Sequence, residues 1–94
     1  MRFKRESKFY VYIVRCRDGT YYTGSTNNIE NRIKLHNKGH GAKYLRGKLP
    51  VKLVYTKEYR YYKNVLHAER NIKKLTRQEK EKLIGIYESN KAYL

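Results

Sequence analysis

The sequence predicts an α+β fold: a β-hairpin, a helix, a third strand and two further helices, with the helices flanking a small, mainly antiparallel sheet. Three observations predict it. Two runs rich in aromatic and β-branched residues, Phe9-Tyr10-Val11-Tyr12-Ile13-Val14 and Tyr21-Tyr22-Thr23, flank an Asp18-Gly19 pair, a strong hairpin signal. A third apolar run, Val51-Lys52-Leu53-Val54-Tyr55, stands alone further on. Helical periodicity with capping residues follows the hairpin and follows the third run again.

Taken in order, the first strand is expected from about Lys8 to Cys16 and the second from about Thr20 to Ser25. The turn decides the register. A two-residue Asp18-Gly19 turn would pair Cys16 with Tyr21 and put Tyr12 and Tyr22 on opposite faces. A three-residue loop with Gly19 in the left-handed bulge position pairs Cys16 with Thr20, Val14 with Tyr22 and Tyr12 with Gly24. We expect the second register, which puts both phenols on one face beside a residue without a side chain. Asn27 and Asn28 then offer N-caps, with Glu30 three residues after Asn27 as in a capping box. A helix should run from about Ile29 to Lys38 and stop at Gly39. Gly39 to Pro50 is a basic, glycine-rich loop, and Pro50 is acceptable at the start of the third strand, Val51 to Tyr55. A helical period from about Tyr61 to Leu75 has Val65, Ala68, Ile72 and Leu75 as its buried stripe. Thr76-Arg77-Gln78-Glu79 is a capping box that opens a last helix running to about Glu88. The final residues should fray. With 94 residues and no repeat or linker, one domain over 1–94 is expected, its ordered core at about 8–88.

Charge is the strongest global feature. The chain carries 23 Lys and Arg against 8 Asp and Glu, a formal net charge of +15. The bases are spread along the whole chain, so a polyanionic partner is expected, and nucleic acid is the default. An anionic membrane surface is the competing partner, but no amphipathic helix bearing Trp or Phe supports it. No stretch approaches the roughly 18 apolar residues of a membrane span. The basic start has no apolar region behind it, so no secretory leader is expected and the cytoplasm is the expected compartment. Cys16 is alone, which excludes an intrachain disulfide, and one Cys with three His does not suggest structural zinc.

Some polar residues fall on faces that should be buried. In the first helix Ile29, Ile33 and Leu35 set the apolar arc, and Arg32 and His36 fall inside it at i, i+4. Groups there need partners. Arg32 could snorkel and His36 could cap a carbonyl, or both could face a polar pocket. Glu69 lies at the edge of the Val65–Ile72 stripe. It could form a surface pair with Lys73 at i, i+4, or aim a carboxylate into the same pocket.

Tyr10-Val11-Tyr12, then Tyr22-Thr23-Gly24, with Arg32 and His36 on the first helix and Glu69 within Leu66-His67-Ala68-Glu69 on a later one, resembles the GIY-YIG nuclease signature. The tripeptides are weak motifs; the combined order at these spacings is specific. The resemblance covers nearly the whole chain. The loop Gly41-Ala42-Lys43-Tyr44 with Arg46-Gly47, and Ile72-Lys73-Lys74-Leu75-Thr76, are similar to the small stand-alone bacterial GIY-YIG proteins, whose function is uncharacterised. The fold resembles the nuclease domain of the eukaryotic structure-selective junction nuclease and the N-terminal domain of the excision-repair nuclease. Tyr10 stands where the name-giving motif has Gly, and Val11 and Thr23 replace Ile. An Asn that supports the site in some members has no counterpart here, Asn71 and Asn90 being poor candidates.

The resemblance implies an endonuclease that hydrolyses DNA phosphodiesters, branched or single-stranded, with one divalent ion, magnesium or manganese. Glu69 would be the metal ligand, which suits a sequence without clustered carboxylates. Arg32 would bind the scissile phosphate. Tyr12 leads as the residue that activates water and Tyr22 positions water or phosphate, the two roles being open to exchange, and His36 assists by accepting the phenol proton, since a phenol with its ordinary pKa of about 10 is a poor base. Gly24 and Ser25 would support the site. Tyr10 and Tyr21 are expected to pack in the hairpin, and Tyr59, Tyr61, Tyr62 and Tyr87 to serve the core or helix surfaces. Lys43, Tyr44, Arg46 and Lys48 read as a nucleic-acid-binding surface that tracks phosphates and offers a ring to stack, with little base readout. DNA is favoured over RNA as partner, and a monomer is expected, with DNA repair as the process. The other readings are a non-catalytic nucleic-acid-binding module and a basic accessory of a repair or ribosomal assembly.

Overall fold

The computed structural model describes residues 8–91. Two strands form the hairpin, β1 (Phe9–Arg15) and β2 (Tyr21–Thr26), and α1 (Ile29–Asn37) follows. A single 3-10 turn (Lys43–Leu45) interrupts the loop that leads to β3 (Lys52–Tyr59). The chain closes with α2 (Tyr62–Lys73) and α3 (Arg77–Lys91). The sheet order is β2-β1-β3 and both pairings are antiparallel, so the expected β-β-α-β-α-α order and α+β class hold. The expected fraying of the final residues, like the basic N-terminal start, falls outside the described residues.

The turn is the three-residue loop. The Cys16 amide donates to the Thr20 carbonyl at 2.8 Å, the Gly19 amide donates to the Cys16 carbonyl at 2.9 Å, and Gly19 has φ +88°. That φ is left-handed and favours glycine. Register follows: Tyr12 faces Gly24 and Val14 faces Tyr22.

Two apolar layers sandwich the sheet. On one face Val11 and Ile13 join Val54, Tyr55, Val65, Ile72 and Ile84 under α2 and α3. On the other, Tyr12, Val14 and Cys16 pack with Leu45 and Val51 under Ile29 and Ile33 of α1. The expected α2 stripe is present, with Val65 and Ile72 buried and Ala68 and Leu75 packed on the same cluster.

Several boundaries differ from expectation for physical reasons. β3 continues to Tyr59, because Thr56, Lys57, Glu58 and Tyr59 pair with Tyr12 through Phe9 on an edge whose outer side tolerates charge. A bulge between Ile13 and Val14 leaves Val54 as the extra residue of β3. α1 is capped by Asn28, whose side chain accepts from the Asn31 amide at 3.0 Å, in place of the Asn27–Glu30 arrangement. The Thr76 box forms in both directions: Thr76 Oγ1 accepts from the Glu79 amide at 3.1 Å and Glu79 Oε1 accepts from the Thr76 amide at 2.9 Å. α3 then runs past Glu88 to Lys91. Tyr21 packs on the α2/α3 cluster and Tyr87 meets Tyr55 edge-on at 5.4 Å, whereas Tyr61 and Tyr62 are exposed.

Candidate functional site

The site starts from the shared face of Tyr12 and Tyr22. A Cβ on Gly24 would stand 2.6 Å from the Tyr12 hydroxyl oxygen and 3.2 Å from the Tyr22 ring. Only a residue without a side chain lets both rings lie over β2 at this point. Tyr12 is 2% exposed, and burial pushes its phenol well above the ordinary tyrosine value. Tyr22 adds to that shift, Arg32 opposes it, and Glu69 reinforces it.

α1 supplies the second wall. His36 is buried, and its Nε2 lies 2.8 Å from the Tyr12 hydroxyl. The other ring nitrogen decides the proton's place. α1 ends in a Schellman turn: Gly39 at φ +82° donates to the His36 carbonyl at 3.0 Å, and His40 donates to the Leu35 carbonyl at 2.9 Å. The chain doubles back, Gly41 lies against the imidazole where a Cβ would overlap Nδ1, and the Ala42 amide donates to Nδ1 at 3.2 Å. Nδ1 is therefore an acceptor, and the proton of a neutral ring sits on Nε2. Burial, then Arg32, lowers the histidine's affinity for a second proton. His36 donates to Tyr12, the reverse of the expectation that it would take the phenol proton. It caps no carbonyl with its side chain either.

α2 packs on the opposite face of the sheet, and β2, at the edge of the sheet, contributes Gly24 and Ser25 to the same pocket that Glu69 lines. Tyr12, Tyr22, Gly24, Ser25, Arg32, His36, His40, Gly41, Ala42 and Glu69 line one open pocket of ≈ 270 Å³. Glu69 forms the expected pair, accepting from Lys73 Nζ at 2.9 Å with its side chain 19% exposed, and it is also one of the residues that line this pocket. Among the residues lining the pocket it is the one carboxylate, and among the described residues no three His, Cys, Asp or Glu side chains cluster to hold a metal unaided. A single hard oxygen ligand fits a magnesium-type ion that keeps water and takes substrate oxygens for its remaining positions.

The basic loop divides. Lys43 and Arg46 are exposed. Tyr44, 51% exposed, is stacked on Tyr22 with ring centroids 5.8 Å apart and 23° between planes. Lys48 lies over the Tyr44 ring at 4.7 Å and pairs with Asp18 at 2.9 Å. Tyr44 and Lys48 thus already have protein partners. Sequence reasoning missed His40, Gly41 and Ala42. The glycine pair Gly39 and Gly41 was the available signal, but nothing in it said which side chain the returning backbone would touch. It also missed Asn37, whose side-chain amide exchanges hydrogen bonds of 2.7 and 3.2 Å with the backbone of Val51 and ties α1 to the start of β3.

Residues 8–82 match the GIY-YIG catalytic domain. A UPF0213 protein of Clostridium perfringens is 55% identical over 76 residues, which span 81% of this chain and 82% of the relative. A UPF0213 protein of Oceanobacillus iheyensis is 46% identical over 88% of this chain and 96% of its own. The solution structure of a UPF0213 protein from Bacillus halodurans has 42% identity and a TM-score of 0.56, covering 84% of each chain. That of a protein from E. faecalis has 36% identity and a TM-score of 0.60, covering 94% of this chain and 92% of that one. With the match spanning most of its length, the chain belongs to the GIY-YIG family.

Proposed function

We propose that this chain is a metal-dependent endonuclease that hydrolyses phosphodiester bonds of DNA, acting as a single-domain monomer on branched or single-stranded structures in the cytoplasm. One observation carries the reading: two strands and two helices on opposite faces of the sheet bring Tyr12, Tyr22, Arg32, His36 and Glu69 to one pocket at the edge of β2.

Arg32 offers a planar pair of donors to the scissile phosphate and stabilises the charge that gathers on its oxygens as water attacks. Tyr12, held as a neutral phenol and receiving a hydrogen bond from His36, keeps its own proton free to donate to a phosphate oxygen or to the attacking water. That leaves Tyr22, half-buried at the same wall, as the phenol that would relay a proton, taking one from the attacking water as its own passes to a phosphate oxygen. This is the exchange of roles that was open for the two tyrosines. Glu69 would hold a divalent ion, magnesium or manganese, which supplies Lewis-acid stabilisation of the phosphate when bound. Lys43 and Arg46 would track the backbone on either side.

The test is cleavage of labelled duplex, single-stranded and branched DNA, and of RNA, by purified protein with each divalent ion. Cleavage that survives Glu69→Ala would place the chemistry elsewhere. Tight binding with no cleavage under any metal would leave a nucleic-acid-binding module.

A further inference from the structure

The β1–β2 turn and the loop after α1 are clasped together beside the pocket. Arg17 donates its amide to the Lys48 carbonyl at 2.9 Å, and Lys48 Nζ donates to Asp18 Oδ2 at the same distance. The other Asp18 oxygen, Oδ1, accepts from the Thr20 amide at 3.1 Å and its hydroxyl at 2.7 Å, so the carboxylate is fixed by the turn. The hydrogen bond from Lys48, with those from Thr20, holds Asp18 below the usual carboxylate range. The same ammonium lies over Tyr44, and Tyr44 stacks on Tyr22. Tyr22 in turn meets His36 edge-on, with centroids 5.8 Å apart.

We propose that Asp18, Lys48 and Tyr44 are positioning residues, a clasp that holds the Tyr22 phenol against the reacting phosphate. The inference rests on the nuclease reading above. It takes Tyr44 and Lys48 out of the nucleic-acid surface: the ring's work is to seat Tyr22, and the ammonium's is to seat the ring. Asp18 is the part that separates this from a simple basic surface. An acidic residue near a polyanion weakens binding; the turn uses Oδ1 for its bonds to Thr20, and Oδ2 is given to Lys48.

Asp18→Asn separates the two views by its effect on kcat. Asn keeps an acceptor for Thr20 and is favoured in a turn before glycine, so the hairpin survives. It releases Lys48 and raises the net charge by one. A clasp predicts nucleic-acid affinity equal or tighter but kcat lower by about 2- to 5-fold, the scale of an exposed ion pair. A charge footprint predicts tighter binding with kcat unchanged. Tyr44→Phe, which keeps the ring, should retain kcat; Tyr44→Ala should lower it with single-strand affinity unchanged, whereas a base-stacking platform would lose about 5-fold or more in affinity. Proton NMR supplies a readout free of activity: contacts from the Lys48 side chain to the Tyr44 ring, and from Tyr44 to Tyr22, should be present in the wild type and weakened by Asp18→Asn. If those contacts persist in the variant, or kcat is unchanged, the clasp is wrong. If the wild type cuts nothing, the nuclease reading falls, and the ring contacts still decide whether Asp18 controls the placement of Tyr22.

Discussion

Gly24→Ala tests the hairpin register and the phenol face without reference to any activity. The added Cβ would lie 2.6 Å from the Tyr12 hydroxyl oxygen and 2.8 Å from Cζ, where ordinary contact begins near 3.4 Å. The ring must retreat by roughly 0.8 Å, and Tyr12, 2% exposed under Leu45 and Val51, has no space to do so freely. Overpacking of this kind costs about 1–3 kcal/mol. At about 2 kcal/mol, a chain of this size should lose roughly 8–15 °C in Tm. Tyr12→Phe removes the nearest atom but leaves the His36 Nε2–H without its acceptor, costing about 1–3 kcal/mol alone. In the double variant the worst overlap is gone and the hydrogen bond is lost only once, so the two costs should fall short of additive by about 1 kcal/mol. Gly47→Ala is the control, because its Cβ would meet nothing within 4 Å, and should stay within about 0.5 kcal/mol of wild type. Urea unfolding followed by circular dichroism measures the four variants against the wild type. Additivity within about 0.4 kcal/mol would refute the stated contact between Gly24 and the Tyr12 phenol.

Glu69→Gln should keep nucleic-acid binding and lower cleavage by roughly 10³-fold, read by gel assays of both on one preparation. Stability should fall on acidification. Burial and Arg32 lower the proton affinity of His36, so below about pH 6.5 the unfolded chain binds a proton that the native state resists. Between about pH 7 and pH 5 the wild type should therefore lose more unfolding free energy than His36→Gln does, and equal losses would argue against the buried neutral ring. Lys43→Ala and Arg46→Ala should each make the slope of log affinity against log salt shallower by about one, if each contacts one phosphate.

Much of the fold was legible because its signals are local. Asp18-Gly19 between two strand-forming runs needs no distant partner to make a hairpin, and Thr76 with Glu79 closes its own helix start. The register was legible too, since bulge geometry at Gly19 propagates along a strand with a period of two. β3 was cut short because Lys57 and Glu58 look like loop residues in sequence, while their place on an exposed edge makes their charge harmless. The cap at Asn28 rather than Asn27 turned on a backbone angle that composition does not encode.

The candidate site divides the same way. Spacing put Tyr12 and Tyr22 on one face and marked Arg32, His36 and Glu69 as polar groups in or beside buried stripes; the resemblance to the GIY-YIG signature joined the five as one site. Their convergence depended on tertiary structure: α1 and α2 lie on opposite faces, yet Glu69 lines the same pocket as the two phenols. The direction of the hydrogen bond between His36 and Tyr12 depended on it as well. It is set by one backbone amide, at Ala42, brought onto the imidazole by a helix-ending turn. Pattern in a sequence states which side chains must find partners, because burial is penalised residue by residue. Which atom donates to which is a matter of distances between segments, and those exist only once the chain has folded.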